Sequence, residues 1–314
     1  MLTFVKDYKN DDGLRQSFDA LAKNTFGISF DVWYQNGCWD DNYISYSFQD
    51  AGKIVANASA NRMTLKMEGV QETVSAIQIG TVMTDPAYRR KGLAHALMQK
   101  IFEDFDAKVS LYFLAADRDA MPLYEKCGFV EVAETCYHYE LQKSSTVEQT
   151  SISGKIISSA HEPFTLTKTT LSLEEFLHWK RSAMPKGCAF DVEDDAHIAA
   201  FYWFHGIKDM LFKLGDDCLV IADFTEDGRK MTLYDYYVLD TQSLDTQALD
   251  TIIKAIEQLP NCQIEQIHFA FDVTGMQLRG PLVSHVEEKS GWMTRSQSEL
   301  HFPEVFCYPK LAQA

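Results

Sequence analysis

The sequence predicts an α/β protein built on mixed sheets and divided into two domains. Three observations carry that prediction. The chain has 314 residues, about twice the roughly 150 of a usual domain. Alternating, strand-like runs and helix-like 3–4 spacings follow one another through both halves. In each half an apolar strand leads into an amphipathic helix and then a further strand, the pattern of a parallel crossover. With 46% hydrophobic and 24% charged residues, the composition supports a sizeable core. Disorder and a disulfide-stapled miniprotein are both excluded.

Phe4 and Val5 begin the first strand. Gly13–Lys23 reads as a helix, with Leu14, Phe18, Leu21 and Ala22 on one face and Asp11 or Asp12 as its cap. A short amphipathic piece, Phe30–Gly37, ends at its glycine. Strands are expected at Lys53–Ala58, Arg62–Met67 and Val74–Thr84. Within the last, Ala76–Met83 is nearly continuous and apolar, which suits a central buried strand. A helix over Gly92–Phe105 carries Leu93, Ala96, Leu97 and Ile101 on one face. Val109–Leu114 is a strand, Ala120–Lys126 a short helix and Val130–Leu141 a closing hairpin. Residues 143–163, rich in Ser and Thr, read as a linker between a domain at 1–142 and a second at 164–314.

The formal charge is -16, distributed as -6 over residues 1–142 and -10 over the remainder. That sign disfavours nucleic acid and anionic membrane surfaces as partners. The N-terminal residues lack the basic and apolar regions of a signal peptide, and no apolar stretch approaches the ~20 residues of a membrane span. Seven scattered cysteines form no Cys-x-x-Cys and no zinc spacing. Free thiols in a cytoplasmic protein without a metal are therefore expected.

The chemistry concentrates in Thr84-Asp-Pro-Ala-Tyr-Arg-Arg-Lys-Gly-Leu-Ala-His-Ala-Leu-Met98. A buried strand ends, Pro86 breaks it, a basic turn follows and a helix opens at a glycine. A helix N-terminus offers about four unpaired N–H groups and the positive end of the macrodipole. Gly92 and Ala94 keep side chains clear, so a phosphate can approach the main chain. Arg89, Arg90 and Lys91 add local positive charge to an acidic protein. A solvated surface turn would read the same way, so the pattern alone does not decide.

Arg89-x-x-Gly92-x-Ala94 resembles the (Gln/Arg)-x-x-Gly-x-(Gly/Ala) signature of the GNAT N-acetyltransferase superfamily. Ala120-Met-Pro-Leu-Tyr-Glu-Lys-Cys-Gly-Phe129 resembles that family's second marker, 28 residues beyond Gly92. The resemblance covers residues 1–142 and implies acetyl-CoA as cosubstrate. Val82, Met83 and Thr84 would pair with the pantetheine arm as an added strand does. The diphosphate would rest on the loop Arg89–His95, that is Arg89, Arg90, Lys91, Gly92, Leu93, Ala94 and His95. Transfer to an amine would be direct, accelerated by positioning and by a strand amide polarising the thioester. The leaving thiolate, whose conjugate acid has a pKa of about 8.5, would be protonated by Tyr124.

Two departures bear on the base and the cofactor site. Where some members carry a glutamate on the central strand, this chain has Gln78, so the base is Glu68, Glu72, Asp85, His138 or a water chain. Asp117 stands where the family often has Asn. Asp31, Trp33 and Trp39, within Asp31-Val-Trp-Tyr34 and Cys38–Tyr43, bring aromatics and carboxylates together as a pocket for a cationic amine would; packing of the small helices is the competing role.

The second half is expected to form helices at Leu173–Ser182 and Asp191–Phe204, strands at Cys218–Asp223 and Met231–Val238, helix Leu244–Leu259 and strand Ile264–Phe271. Further strands are expected near Trp292 and at Glu299–Phe302. This order echoes the first half, with the phosphate loop replaced by acidic Asp240–Thr246. A degenerate GNAT-like domain fits, and an unrelated α/β domain is the alternative. It would pack on the first half, shape the acceptor cleft or mediate a homodimer. Two functions compete: an acetyl-CoA-dependent N-acetyltransferase acting on a small-molecule or peptide amine, and a non-catalytic acyl-CoA-binding sensor. Tyr124 beside an intact loop favours the enzyme.

Overall fold

A computed structural model describes residues 1–67, 69–70, 73–141, 165–239, 248–259, 262–274, 276, 278, 280–296 and 306–314. The linker, the loop Asp240–Thr246, the strand expected at Glu299–Phe302, and Glu68 and Glu72 lie outside them.

The first half runs β1 (Thr3–Lys6), α1 (Asp12–Phe26), α2 (Asp31–Gln35), β2 (Tyr43–Asp50), β3 (Lys53–Met67), β4 (Val74–Thr84), α3 (Leu93–Phe105), β5 (Leu111–Ala115), α4 (Met121–Glu125), β6 (Val130–Glu131) and β7 (Glu134–Glu140). Asp11 caps α1 by accepting a hydrogen bond from the Leu14 N–H at 3.0 Å, and Gly27 closes it in the left-handed conformation. The two strands expected at 53–58 and 62–67 are one, β3. Ser59 and Asn61 look like a break but are fully buried and hydrogen-bonded. β2 is an addition to the expected order; its serines at 45 and 47 interrupt the apolar pattern yet are buried too.

The second half continues with β8 (Leu166–Lys168), α5 (Leu173–Ser182), β9 (Phe190–Glu193), α6 (Ala196–Phe204), β10 (Leu211–Leu214), β11 (Cys218–Phe224), β12 (Lys230–Val238), α7 (Ala248–Glu257), β13 (Gln266–Phe269), β14 (Leu282–Glu287) and β15 (Trp292–Ser296). The helix expected from Asp191 is instead a strand and then a helix. Phe190 and Val192 alternate inward against β3, and Asp194, at φ 57°, turns the chain before α6.

Two sheets result, in the orders β1-β2-β3-β4-β5-β15-β6, with β9 added on β3, and β8-β10-β11-β12-β13-β7-β14. Each has one parallel pair, β4–β5 and β12–β13, joined through α3 and α7 respectively. The second order repeats the first position by position. The halves also exchange strands. β7 leaves the first half to pair with β13 and β14, and β15 returns to lie between β5 and β6. Residues 130–141 are therefore not a hairpin, because β6 and β7 belong to different sheets. The division expected at residue 142 likewise does not separate the sheets.

The first sheet is covered by α1 and α2 on one face and by α3 and α4 on the other. α7 covers one face of the second sheet, and α5 and α6 the other. α6 is apolar on every side because it is packed on every side. Ala200 and Phe201 face the first half, whereas Ala199 and Trp203 face the second. The chain's last residues run through the core, with Phe306, Tyr308 and Ala312 fully buried. All seven cysteines are free thiols. No helix among the described residues is long and apolar enough to cross a membrane.

Candidate active site

The site is assembled around the end of β4. β4 pairs with β5 only at Ala76, Ile77 and Gln78, although it continues six residues to Thr84. Past Gln78 this pairing stops, so the main chain of Ile79–Thr84 has no β5 partner on that side. On its other edge β4 carries a bulge. Asn57 pairs with Met83 and Ser59 with Gly80, so Ala58 is opposed by two residues, Thr81 and Val82. Thr81 sits at φ 49°, an outlier for a β-branched residue.

From Thr84 the chain enters a single 3-10 turn, Pro86–Tyr88, capped by the Asp85 carboxylate. The Arg89 Nε donates to the Thr84 carbonyl at 3.1 Å. Arg90 (φ 61°) and Gly92 (φ 77°) are both left-handed, and Gly92 is the N-cap of α3. The first hydrogen bond within this helix runs from the Ala96 N–H to the Gly92 carbonyl at 3.0 Å. The amides ahead of Ala96 are those a helix leaves unpaired. A Cβ added at Gly92 would meet no atom within 4 Å, so the approach to this main chain is open. Arg89, Arg90, Lys91 and His95 are exposed around it. Lys91 lies over the Tyr88 ring at 4.5 Å, and the Tyr88 hydroxyl donates to Asp50, which ties the loop to β2. An open, left-handed loop with a free helix terminus and four cationic or imidazole side chains fits a nucleotide diphosphate.

Tyr124 lies in α4, buried in the apolar cluster that also holds Ile79 of β4 and Leu93 of α3. Its ring packs edge-on to Phe129 at 6.1 Å. Burial, helped by the negative charge of Asp117 and by Cys127, raises its pKa well above the usual phenol value. The hydroxyl therefore stays protonated at neutral pH. Among the described residues it has no recorded hydrogen-bond partner.

Beside the bulge lies a cavity of about 240 Å³. Its wall is mostly aromatic, with Phe30, Trp33, Tyr43, Phe201 and Tyr202 among its residues. Thr81 joins it from the bulge, and Gln313 and Ala314 from the chain's last turn. The Ala314 N–H donates to the Gln78 Oε1 at 3.0 Å, and a Cβ added at Gly80 would come within 3.0 Å of the Ala314 main chain. Glycine at position 80 is what admits the last turn to the central strand. α6 helps line both this cavity and a larger, charged cleft of about 730 Å³ containing Asp40, Lys66, Lys180, Lys186 and Asp194.

The residues expected in an acceptor pocket separate. Trp33 lines the cavity and its indole N–H donates to the His197 carbonyl at 2.7 Å. Trp39 is core, tilted against Phe18, edge-on to Tyr43 and donating to the Tyr43 carbonyl. Asp31 sits in the first turn of α2 and accepts from Gln35, outside the cavity wall. Neither described base candidate lies in the wall. Asp85 is paired with Lys53 at 2.6 Å, and that contact together with the Ala87 amide lowers its pKa. His138 is on β7, in the other sheet, beside His268. Among the described residues of its wall, none has a carboxylate or imidazole side chain. Phe201, Tyr202 and Gln313 escaped the sequence reading, since nothing local connects them to a loop over 100 residues earlier. Among the described residues no group of three or more His, Cys, Asp or Glu is placed to hold a metal ion.

The family described as Acetyltransferase (GNAT) domain matches residues 18–132. No curated protein matches the sequence. Solved structures do match in fold. A probable N-acyltransferase of unknown function from Enterococcus faecalis superposes with a TM-score of 0.58 at 15% identity, covering 94% of this chain and 73% of that one. Eis1 from Mycobacterium abscessus gives 0.61 at 11% identity, covering 95% and 74%. A GCN5-related N-acetyltransferase from Anabaena variabilis gives 0.58 at 16% identity, covering 94% and 73%. The splayed strand, the glycine-capped helix and these matches agree: residues 18–132 match the GNAT acetyltransferase domain family, and the chain shares its fold with such proteins over most of its length.

Proposed function

We propose that the chain transfers an acetyl group from acetyl-CoA directly to the primary amine of a small molecule or peptide. The observation that carries this reading is the abrupt end of β4–β5 pairing at Gln78, followed after the end of β4 and one tight turn by the open helix terminus at Gly92. Bound acetyl-CoA supplies an activated thioester, and the residues named here do the rest. The free edge of Val82, Met83 and Thr84 offers N–H and C=O groups to the amides of the pantetheine arm. The main chain from Arg90 to His95 holds the diphosphate, with Arg89 and Lys91 adding charge.

In the reaction a C–N bond forms and the C–S bond breaks. The Tyr124 hydroxyl donates its proton to the departing sulfur and recovers one from water. The acceptor amine must lose a proton before attack. In the proposed route, burial lowers the pKa of the ammonium and its proton leaves to water. The faces of Trp33 and Tyr43 favour the cation on entry.

Thiol release in the presence of acetyl-CoA, measured across a panel of amines, tests the proposal. Thiol release that depends on an amine is expected. Heat of acetyl-CoA binding without thiol release from any amine would leave only the sensor reading. Gly92→Val should weaken acetyl-CoA binding by at least about ten-fold, because a β-branched residue at this φ costs roughly 1–2 kcal/mol and its methyls obstruct the phosphate. An unchanged dissociation constant by calorimetry would contradict the loop assignment.

A further inference from the structure

A chain of buried polar side chains crosses the first sheet and ends in the cavity. It comprises Tyr8, Ser47, Asn57, Ser59, Tyr43 and Thr81, and its first five members are at most 6% exposed. The directions of the hydrogen bonds from Tyr8 to Ser59 follow from one fact. The main-chain carbonyl of Thr81 can only accept, so the atom of Asn57 that meets it at 2.8 Å is the amide nitrogen. The same nitrogen donates its second proton to the Ser59 Oγ at 3.0 Å. The Asn57 oxygen must then accept, and it does so from the Ser47 Oγ at 2.8 Å. With the Ser47 proton used, the contact at 2.7 Å between Ser47 and Tyr8 has Tyr8 as its donor. On the other side Ser59 donates to the Tyr43 hydroxyl at 2.9 Å, and Tyr43 donates to the Thr81 Oγ1 at 2.9 Å.

Every proton in the chain is spent except the last. The Thr81 hydroxyl accepts from Tyr43 and retains its own hydrogen, for which no acceptor is recorded among the described residues. Two other hydroxyls line the cavity, and neither has a proton to give. Tyr43 has used its proton on Thr81, and Tyr202 donates to the Gln313 carbonyl at 2.9 Å. Donors aligned in this way polarise one another, so the terminal hydroxyl is a better donor than an isolated one. Thr81 is also held, by its carbonyl and its hydroxyl together, in a left-handed conformation that a β-branched residue avoids. Strain of this kind persists where the surroundings over-determine it.

We propose that the Thr81 hydroxyl is a specificity-determining donor. It selects, for a mostly aromatic cavity, a primary amine that also carries a hydrogen-bond-accepting oxygen. The inference rests on the acetyl-transfer reading for the role of the cavity. The oxygen of such a molecule accepts from Thr81 while its apolar frame fills the space among Phe30, Trp33 and Phe201. A hydrocarbon amine of similar shape leaves the donor unsatisfied on losing its water.

Calorimetry on the full chain would compare phenethylamine with its ortho-, meta- and para-methoxy derivatives. At least one methoxy isomer is expected to bind about five-fold more tightly than the parent, the equivalent of one neutral hydrogen bond. In Thr81→Val this ratio should fall to about one, and in Thr81→Ser it should return. Tyr43→Phe removes the polarising partner and should reduce the ratio part of the way, which keeps the proposal testable if Thr81→Val does not fold. A ratio preserved in both Thr81→Val and Tyr43→Phe, or the absence of any methoxy preference in the unaltered protein, would overturn it. Failure of the acetyl-transfer reading has a separate signature: amines bind with the expected ratio, yet no thiol is released. Absence of binding by every amine in the series removes the cavity as an acceptor site, and this proposal with it.

Discussion

Tyr124→Phe is expected to lower kcat by about 10²- to 10⁴-fold, the usual range for loss of a general acid, while leaving acetyl-CoA affinity within about two-fold. The phenol ring is buried, so phenylalanine fills the same space against Phe129 and stability should change little. Only the proton donor is lost. The pH dependence has a definite sign. Burial and the Asp117 charge raise the tyrosine pKa, so the acid form persists through neutral and alkaline pH. Turnover should therefore show no loss from tyrosine ionisation below about pH 10. Steady-state kinetics with a good amine acceptor across pH check both statements. A kcat unchanged by the substitution would remove Tyr124 from the acid role, and an alkaline limb near pH 8 that disappears in Tyr124→Phe would contradict the raised pKa.

Asp235→Ala should destabilise the protein by about 3–5 kcal/mol, the range seen when one member of a buried ion pair is removed. Lys186 and Asp235 meet at 2.5 Å with side chains 11% and 5% exposed. The ammonium sits among the rings of Tyr236, Tyr237 and Phe271 at 5.5–5.8 Å. Burial alone would push its pKa down, but the charges of Asp235 and Asp191 outweigh that and raise it. Without Asp235 the cation keeps the desolvation cost and loses its nearest compensation. Asp235→Leu combined with Lys186→Met should be far milder, since no charge is then stranded. Urea denaturation of the singles and the double closes the cycle. A loss of less than about 1 kcal/mol in Asp235→Ala would show the pair to be solvated in practice.

This pair also bears on how the second half differs from the first. β12 pairs with β13 only as far as Leu233, although it continues to Val238, so the second sheet splays as the first does. There the chain itself occupies the neighbourhood: the Met184 N–H donates to the Val238 carbonyl at 2.8 Å, and Lys186 inserts beside Asp235. The same early end of parallel pairing leaves an open strand edge in one half and is filled by the chain itself in the other.

The shape of the loop proposed to hold the cofactor was readable from residues alone. Gly92 and the helix after it are local features, and the left-handed turn and the free amides follow from a glycine at an N-cap. The short helix that carries Tyr124 was readable for the same reason, lying in a compact marker four residues before Gly128. The acceptor side was not. Trp39 and Asp31 share a short segment with Trp33, but adjacency in sequence did not say which side chain would face the cavity. One indole turned inward to the core, and the carboxylate turned to its own helix. The serines of β2 and β3 concealed two strands because buried hydroxyls look like turn residues until their partners are known.

Short-range spacing was thus sufficient for most of the helices, the central strand and the glycine-capped loop, since each is stabilised by contacts within a few residues. The assignment of β7 and β15 to opposite sheets, the seating of Ala314 on Gly80 and the orientation of the Thr81 hydroxyl were settled only by packing. Alternation at period two tells a strand which face to bury but not which sheet to join. That choice belongs to contacts more than a hundred residues apart, whose energy becomes available only when both halves are in place.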